Sequence, residues 1–346
     1  LIIGTAAHGC APYKTVLSHG FVLDGKGNKM SKSLGNTVDP IKMVNQYGAD
    51  ILRLWATSIA YQSDVRISDE IMKQVAENYR KMRNTMRFVL GNLSDFKSCD
   101  VVETSKLEGV DQYMLVELNQ LVKGYKEALN QYDFSEANQL ILNCFTNTLS
   151  AFYMDFTKDI LYIEKADGLR RRQVQTVLYH YAKTMMKLLS PVLVFTAEEL
   201  HDHFHCDENK AESVFLEPKP ELLNIDNAES IKAYYDRFLM VRKDVMKALE
   251  DLRNEKVIKS NMEAKLTICF KDEYEDMAQL VNDLKQLFIV AKVELTDDLT
   301  DLVEFDTAYM KAEKFNGIQC PRCWNYYDED EMEGELCHRC HDVMNG

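Results

Sequence analysis

The sequence predicts a multidomain, mainly α-helical protein that also contains a small α/β unit and a cysteine-rich tail. Its 346 residues exceed one ordinary domain, since domains hold ~100–200 residues. Apolar residues recur at helical spacing from about 68 to 205, whereas 264–295 alternates between strand and helix patterns. Two closely spaced cysteine pairs lie in the last 30 residues. Together these patterns indicate a helical bundle followed by two smaller units.

The first 65 residues combine short apolar runs with glycines. The run 16–23 predicts a short buried strand, and Asp24-Gly25-Lys26-Gly27-Asn28 has the composition of a turn. Pro40 is expected as the first residue of a helix, because its fixed φ suits that position. A second short helix is expected through 50–55.

Five amphipathic segments follow, and their short connections predict an antiparallel bundle. The first begins at about 68, where Ser68 is an N-cap candidate before two acidic residues. The others are expected near 111–131, 135–165, 169–190 and 192–205. Eight aromatic residues at helical spacing are predicted to lie in the core: Tyr113, Tyr125, Phe145, Phe152, Tyr153, Phe156, Tyr179 and Tyr181. The run 170–172 is expected as a solvated helix start, and the histidines at 201, 203 and 205 as a solvated helix end.

The charge distribution is uneven along the chain. The net charge is −14, but residues 1–100 carry 13 basic and 9 acidic side chains. A polyanion should therefore approach the N-terminal third more readily than the rest. No run reaches the ~18 apolar residues that a membrane span needs, so an integral membrane protein is not expected.

The cysteine pairs near the C-terminus predict a structural metal site. Two C-x-x-C pairs separated by thirteen residues provide four thiolates, which satisfy tetrahedral Zn²⁺ and leave no open position. The alternatives are two disulfides or free thiols, or a histidine ligand from 338 or 341. The predicted ligands are Cys320, Cys323, Cys337 and Cys340.

A lysine-rich segment, Lys29-Met30-Ser31-Lys32-Ser33, follows the glycine turn. Two ammonium groups on a flexible loop suit a polyphosphate, because they place positive charge where negative charge develops during phosphoryl attack. Its alternative interpretation is a solvated loop that is merely rich in lysine.

A basic face on the first long helix is the third candidate. Lys73, Arg80, Arg83 and Arg87 lie away from the apolar stripe and suit the phosphates of a nucleic acid. An ordinary solvated helix face is the alternative.

The lysine segment and its flanks resemble the second signature of class I aminoacyl-tRNA synthetases. His19-Gly20-Phe21 precedes it and Leu34-Gly35-Asn36 follows it, in the version found in isoleucyl-tRNA synthetases. The resemblance continues through 48–55, 83–88, 196–199 and 253–256. It ends at Cys320-Pro321-Arg322-Cys323-Trp324, a tail typical of the bacterial-type isoleucine branch.

This resemblance implies an ATP-dependent ligase that activates isoleucine and charges tRNA(Ile), with Mg²⁺ accompanying ATP. It implies that Lys32 contacts ATP and stabilises the transition state, that Lys29 assists, and that Ser31 and Ser33 contribute to ATP binding. The basic face would then bind tRNA, and the protein would be a cytoplasmic monomer.

The expected domains are the end of a Rossmann-like catalytic domain (1–65), an anticodon-binding bundle (66–222), an α/β junction (223–315) and a zinc finger (316–346). The first class I signature and an editing domain are absent from the sequence, so this chain alone is not expected to charge tRNA. Two alternatives remain open: a free-standing tRNA-binding zinc module, and a valine or leucine synthetase of the same class.

Overall fold

The computed structural model describes residues 1–345. The N-terminal region consists of short helices and strands next to a small hydrophobic core. In chain order these are α1 (Ile2–His8), β1 (Val22–Leu23), α2 (Pro40–Tyr47), α3 (Ala49–Thr57) and β2 (Val65–Arg66). β1 and β2 pair in parallel, so α2 and α3 form the connection between them. Pro40 begins α2 as predicted, and the Asp39 carboxylate caps it by accepting from the Ile41 amide. The core of this region consists of Met43, Ile51, Trp55, Ile67, Met72 and Ala76.

The predicted buried strand over 16–23 is wrong. Only Val22–Leu23 is a strand, and the side chains of Val16 and Phe21 are 67% and 69% exposed. Among the described strands β1 pairs with β2 alone, so no sheet covers the apolar run. Apolar character predicted burial here, but burial depends on neighbours that the run itself does not specify.

The helical bundle follows the predicted segments closely. It comprises α4 (Asp69–Asn92), α5 (Gly109–Asn130), α6 (Phe134–Asn143), α7 (Met154–Ile163), α8 (Leu169–Leu189) and α9 (Val194–Asp202). A π-helical stretch, Cys144–Tyr153, joins α6 to α7. The Ser68 hydroxyl accepts from the Ile71 amide at 3.3 Å, which confirms the predicted N-cap of α4. All eight predicted core aromatics are buried.

The α/β unit packs directly on the bundle. Its elements are α10 (Ala228–Asn254), β3 (Ala264–Phe270), α11 (Val281–Phe288), β4 (Lys292–Leu295), β5 (Val303–Glu304) and β6 (Ala308–Lys314). The sheet order is β4-β3-β6-β5, with β3 and β4 parallel and the other pairs antiparallel. Phe238 of α10 lies between Phe288 of α11 and Phe152 of the bundle, with ring centroids 5.7 and 6.5 Å away. The bundle and the α/β unit therefore share one hydrophobic core.

The tail consists of two short antiparallel strand pairs and a final helix. These are β7 (Ile318–Gln319) with β8 (Tyr326–Tyr327), β9 (Met332–Glu333) with β10 (Leu336–Cys337), and α12 (His338–Asn345). The four cysteines cluster with Ile163 at the end of α7, so the tail packs on the bundle. Within residues 1–345, every helix is too short or too polar to cross a membrane.

The arginines at 170–172 and His201 were expected in water but are paired, whereas His203 and His205 are exposed as predicted. Arg170 contacts Asp111, whose carboxylate is buried and also accepts from the Tyr153 hydroxyl at 2.8 Å. His201 is 2% exposed, and its Nε2 lies 3.2 Å from Oε1 of Glu217. In each case the acidic partner comes from another segment, so the local sequence did not reveal it.

Candidate signature loop, metal centre and RNA-binding face

The signature loop is held by an Asp24–Asn36 cage. The Asp24 carboxylate accepts from the Asn28 amide at 2.8 Å and from Asn36 Nδ2 at 2.9 Å. Asn36 Oδ1 accepts from the Ser31 amide at 2.9 Å, and its Nδ2 also donates to the Lys29 carbonyl at 3.3 Å. The hydrogen bonds from Asn36 and Asn28 lower the pKa of Asp24 to about 2, so the carboxylate is ionised at neutral pH. The cage fixes the backbone from both sides of the loop.

The two lysines of the loop lie outside the cage and project into solvent. Lys29 and Lys32 are exposed, and neither forms an ion pair in the described part of the chain. The Lys29 ammonium lies 5.7 Å from the centre of the Phe21 ring. Ser31 Oγ lies 3.1 Å from Ser33 Oγ and accepts from the Leu34 amide at 3.2 Å. The loop thus presents two available ammonium groups from a hydrogen-bonded backbone, as polyphosphate binding requires.

The structure brings the four predicted metal ligands together. All four thiols are buried, and their sulfur atoms lie within 4.8 Å of one another. Cys323 Sγ and Cys337 Sγ are 3.9 Å apart, close to the roughly 3.8 Å separation of ligands around a tetrahedral zinc with ~2.3 Å Zn–S bonds. All four are free thiols rather than disulfides. This donor set is compatible with a structural zinc.

Two arginines of the tail join the cysteine cluster to the bundle. Arg322 donates from Nη2 to the Ile163 carbonyl at 2.7 Å, and its Nη1 lies 3.5 Å from Cys340 Sγ. Arg339, next to Cys340 in the chain, forms a bidentate pair with Asp159 of α7 at 2.6 and 2.7 Å. The two arginines therefore attach the cysteine cluster to α7, and the Arg322 guanidinium also lies beside the Cys340 sulfur.

The predicted basic face is only partly free. Lys73 and Arg80 are exposed and lie 3.8 and 3.1 Å from acidic residues of their own helix, while Arg87 is exposed. Arg83 instead donates twice to Glu199 of α9, at 2.6 Å each. These hydrogen bonds raise the pKa of Arg83 and lower that of Glu199. The structure thus gives Arg83 an intramolecular partner across the bundle.

Family models and curated relatives show which proteins this chain resembles. Residues 1–68 match the family model for class I tRNA synthetases (I, L, M and V), and residues 111–268 match that for the anticodon-binding domain of tRNA ligase. An isoleucine–tRNA ligase from Geobacillus thermodenitrificans is 46% identical over 100% of this chain, and one from Bacillus cereus is 47% identical over 99%. The chain belongs to the class I tRNA synthetase family.

Within this synthetase family, similarity over the whole chain is to isoleucine–tRNA ligases, so the valine and leucine alternatives and the free-standing module are not favoured. The chain spans 38% of the length of each of these two relatives. A solved LeuRS–tRNA–LeuAMS complex from Agrobacterium radiobacter K84 has a TM-score of 0.46 at 21% identity. It matches 62% of this chain and 24% of that one.

Sequence reasoning named the candidate residues of these sites but missed the residues that hold them in place. Asp24 and Asn36 were identified only as flanks of the signature, although an aspartate ahead of a glycine turn often accepts local amide hydrogen bonds. Arg322 and Arg339 lie beside predicted metal ligands in the chain, and that proximity was the available signal. Asp159 carried no sequence signal, because its partner lies 180 residues away.

Proposed function

We propose that this chain forms part of an isoleucine–tRNA ligase and supplies its ATP-contacting loop, a tRNA-binding surface and a structural zinc. The observation that carries the proposal is 46–47% identity to curated isoleucine–tRNA ligases over the whole chain. Such a ligase uses ATP to convert isoleucine into its adenylate and then transfers the isoleucyl group to tRNA(Ile). We place it in the cytoplasm, as a monomer, with Mg²⁺ accompanying ATP.

In the first step an oxygen of the isoleucine carboxylate bonds to the α-phosphorus of ATP, and the bond to the bridging oxygen of pyrophosphate breaks. Negative charge accumulates on the phosphate oxygens as this happens. We assign Lys32 to stabilise that charge and Lys29 to hold the phosphates, with Ser31 and Ser33 as hydroxyl donors. The unpaired ammonium groups and the caged backbone support this assignment, because donors fixed before reaction need little reorganisation.

Lys32→Ala in an active ligase that contains this chain tests the assignment. We expect ATP–pyrophosphate exchange to fall by about 10²-fold or more, the usual effect of removing one charge-stabilising group. The matched control is Lys26→Ala, another exposed lysine just before the signature. Equal rates for the two variants would contradict the role of Lys32.

For tRNA binding we propose the exposed members of the basic face, Lys73, Arg80 and Arg87, with Arg83 in a supporting position because Glu199 already holds it. Each phosphate contact adds close to one to the slope of log affinity against log salt. Arg87→Ala should therefore lower that slope by about one for tRNA(Ile). An unchanged slope would remove Arg87 from the interface.

For the metal we propose one zinc bound by the four clustered cysteines, in a closed site whose binding energy contributes to folding of the tail. Metal analysis of the purified chain should find about one zinc per chain. Cys337→Ser should lose the metal, whereas Cys269→Ser, outside the cluster, should retain it. Retention of zinc by Cys337→Ser would contradict the proposed ligand set.

A further inference from the structure

Helix α9 begins without a capping side chain of its own, and α3 supplies one. The residue before α9 is Leu193, whose side chain cannot accept a hydrogen bond from the amides of the first turn. Instead the buried Asp50 carboxylate accepts from the Thr196 amide at 2.7 Å, the Thr196 hydroxyl at 2.6 Å and the Phe195 amide at 3.3 Å. A carboxylate at this position satisfies unpaired amides and interacts favourably with the helix dipole.

A second residue of α3 forms hydrogen bonds to the chain just before α9. Arg53 donates from Nη2 to the Pro191 carbonyl at 2.8 Å and from Nε to the Val192 carbonyl at 2.9 Å. Asp50 and Arg53 are three residues apart and so lie on one face of α3. We call this pair the α3 clasp. Its anion accepts from amides in the first turn of α9 and its cation donates to carbonyls just before α9, so the clasp holds the start of α9 from both sides.

The other faces of α3 are connected to the signature loop. Ile51 and Trp55 of α3 belong to the small core, together with Met43 of α2. Met30, from the centre of the signature, is partly buried against this same core. Since packed cores transmit displacement with little compression, a shift of α3 moves the loop.

A chain of hydrogen bonds joins the clasp to the basic face. The single proton of the Thr196 hydroxyl is donated to Asp50, so the Tyr79 hydroxyl, 3.0 Å away, must donate to Thr196 Oγ1. Arg83 in turn donates to the Tyr79 oxygen at 3.3 Å and is paired with Glu199. Each group in this chain therefore donates to the next one, from Arg83 on the basic face to Asp50 of α3, beside the small core that contacts the loop.

We propose that Asp50 is a positioning residue that fixes the signature loop relative to the bundle through the α3 clasp. This inference rests on the proposed function, because it gives the clasp the task of aligning the ATP-contacting loop with the tRNA-bearing bundle. A purely local cap would stabilise α9 and leave α2, α3 and the loop unaffected. The two possibilities therefore differ in where the structure loosens when Asp50 is changed.

Asp50→Asn in the present chain tests the structural half of the proposal by hydrogen exchange. Asparagine keeps the shape but removes the charge and turns one acceptor into a donor that faces an amide. We expect amides of α2 and α3 to exchange about tenfold faster, equivalent to ~1.4 kcal/mol, in addition to those of α9. If only α9 exchanges faster, the proposal is overturned.

Asp244→Asn is the matched control. Asp244 is also 7% exposed and accepts from a threonine amide and hydroxyl, those of Thr307, at 2.9 and 2.8 Å. It lies in the α/β unit, so its loss should leave α2 and α3 unchanged; equal acceleration there would overturn the proposal. If Asp50→Asn abolishes cooperative unfolding, Arg53→Lys replaces it, and the same regions should exchange about threefold faster.

Kinetics in an active ligase that contains this chain test the functional half. Asp50→Asn should lower kcat for tRNA charging by about tenfold, while the KM for tRNA stays within about twofold. A higher KM with unchanged kcat, or the same loss in Asp244→Asn, would overturn it. If the unmodified ligase does not charge tRNA(Ile), the proposed function fails, but hydrogen exchange still decides whether the clasp positions the loop.

Discussion

Replacing Arg339 by alanine should loosen the zinc-finger segment from the bundle. The Arg339 guanidinium makes two hydrogen bonds to Asp159 of α7, at 2.6 and 2.7 Å, and lies 3.7 Å from Glu164. Burial opposes its charge, but Asp159 outweighs burial and raises the pKa of Arg339. Because Cys340 is the next residue, this ion pair fixes the helix that carries this proposed ligand against α7.

The size of the effect follows from the exposure of the pair. The Arg339 and Asp159 side chains are 33% and 26% exposed, so the interaction is only partly screened by water. A hydrogen bond to a charged group contributes ~1.5–3 kcal/mol, and alanine would leave Asp159 without this partner. A loss of about 2 kcal/mol corresponds to roughly a 30-fold larger undocked population.

Zinc transfer to an excess of chromogenic chelator measures that population. The four sulfur atoms are buried, so the chelator reaches the metal only after the segment opens. We expect release to be about 30-fold faster in Arg339→Ala. Lys158→Ala is the control, because Lys158 pairs with Asp155 on its own helix, at 3.6 Å, rather than with an acidic residue of the tail. In Asp159→Ala/Arg339→Ala the second change should add little, because both remove the same interaction. Release within twofold of the unmodified chain, or fully additive effects, would refute the reasoning.

Three further predictions concern the bundle core, the loop and the tail. Asp111→Ala should cost about 3–5 kcal/mol in the free energy of unfolding, because Arg170 would lose its buried partner; a loss below ~1 kcal/mol in urea unfolding would contradict this. The pKa of Asp24 is lowered to about 2 from the ordinary aspartate value of 3.8. The hydrogen bonds that its carboxylate accepts within the loop are therefore fully present above pH 3.8 and are lost as the pH falls through 2. The Asn36 side-chain amide resonances should therefore stay constant down to about pH 4 and move below about pH 3. Chelation of zinc should increase hydrogen exchange across 316–345 while α5 and α8 stay protected, since the shared core holds those helices without the metal.

The sequence predicted elements whose evidence is local and periodic. α5 and α8 lie within two residues of their predicted ends, and the Ser68 cap forms as expected, because apolar spacing and capping are properties of a few neighbouring residues. The segment 170–172 was misjudged because its partners, Asp111 and Asp95, lie 59 to 77 residues away. Long-range charge pairing leaves no periodic trace, so a basic run in the core looks the same as one in water.

The same limit applied to the candidate sites. Spacing was sufficient to predict that the four cysteines lie together, because two C-x-x-C pairs have few other uses. It was not sufficient for Asp50, which in sequence is an ordinary acidic residue in the first turn of a helix and in the structure caps a different helix. The ligands of a site are restricted by chemistry, whereas the residues that position them are restricted only by geometry.

The cations of the candidate sites show how binding residues differ from positioning residues in the structure. Lys32 and Arg83 are both cations in predicted binding regions, Lys32 in the ATP-contacting loop and Arg83 on the tRNA-binding face. In the structure, Asn36 fixes the backbone next to Lys32 and the Lys32 ammonium has no ion-pair partner among the described residues. Arg83, in contrast, donates hydrogen bonds from both Nη atoms to the Glu199 carboxylate. A binding cation needs a held backbone and a free charge, since an intramolecular partner must be displaced before a phosphate can bind. On that criterion Lys32 is arranged to meet a ligand, and Arg83 is arranged to hold α9 in place.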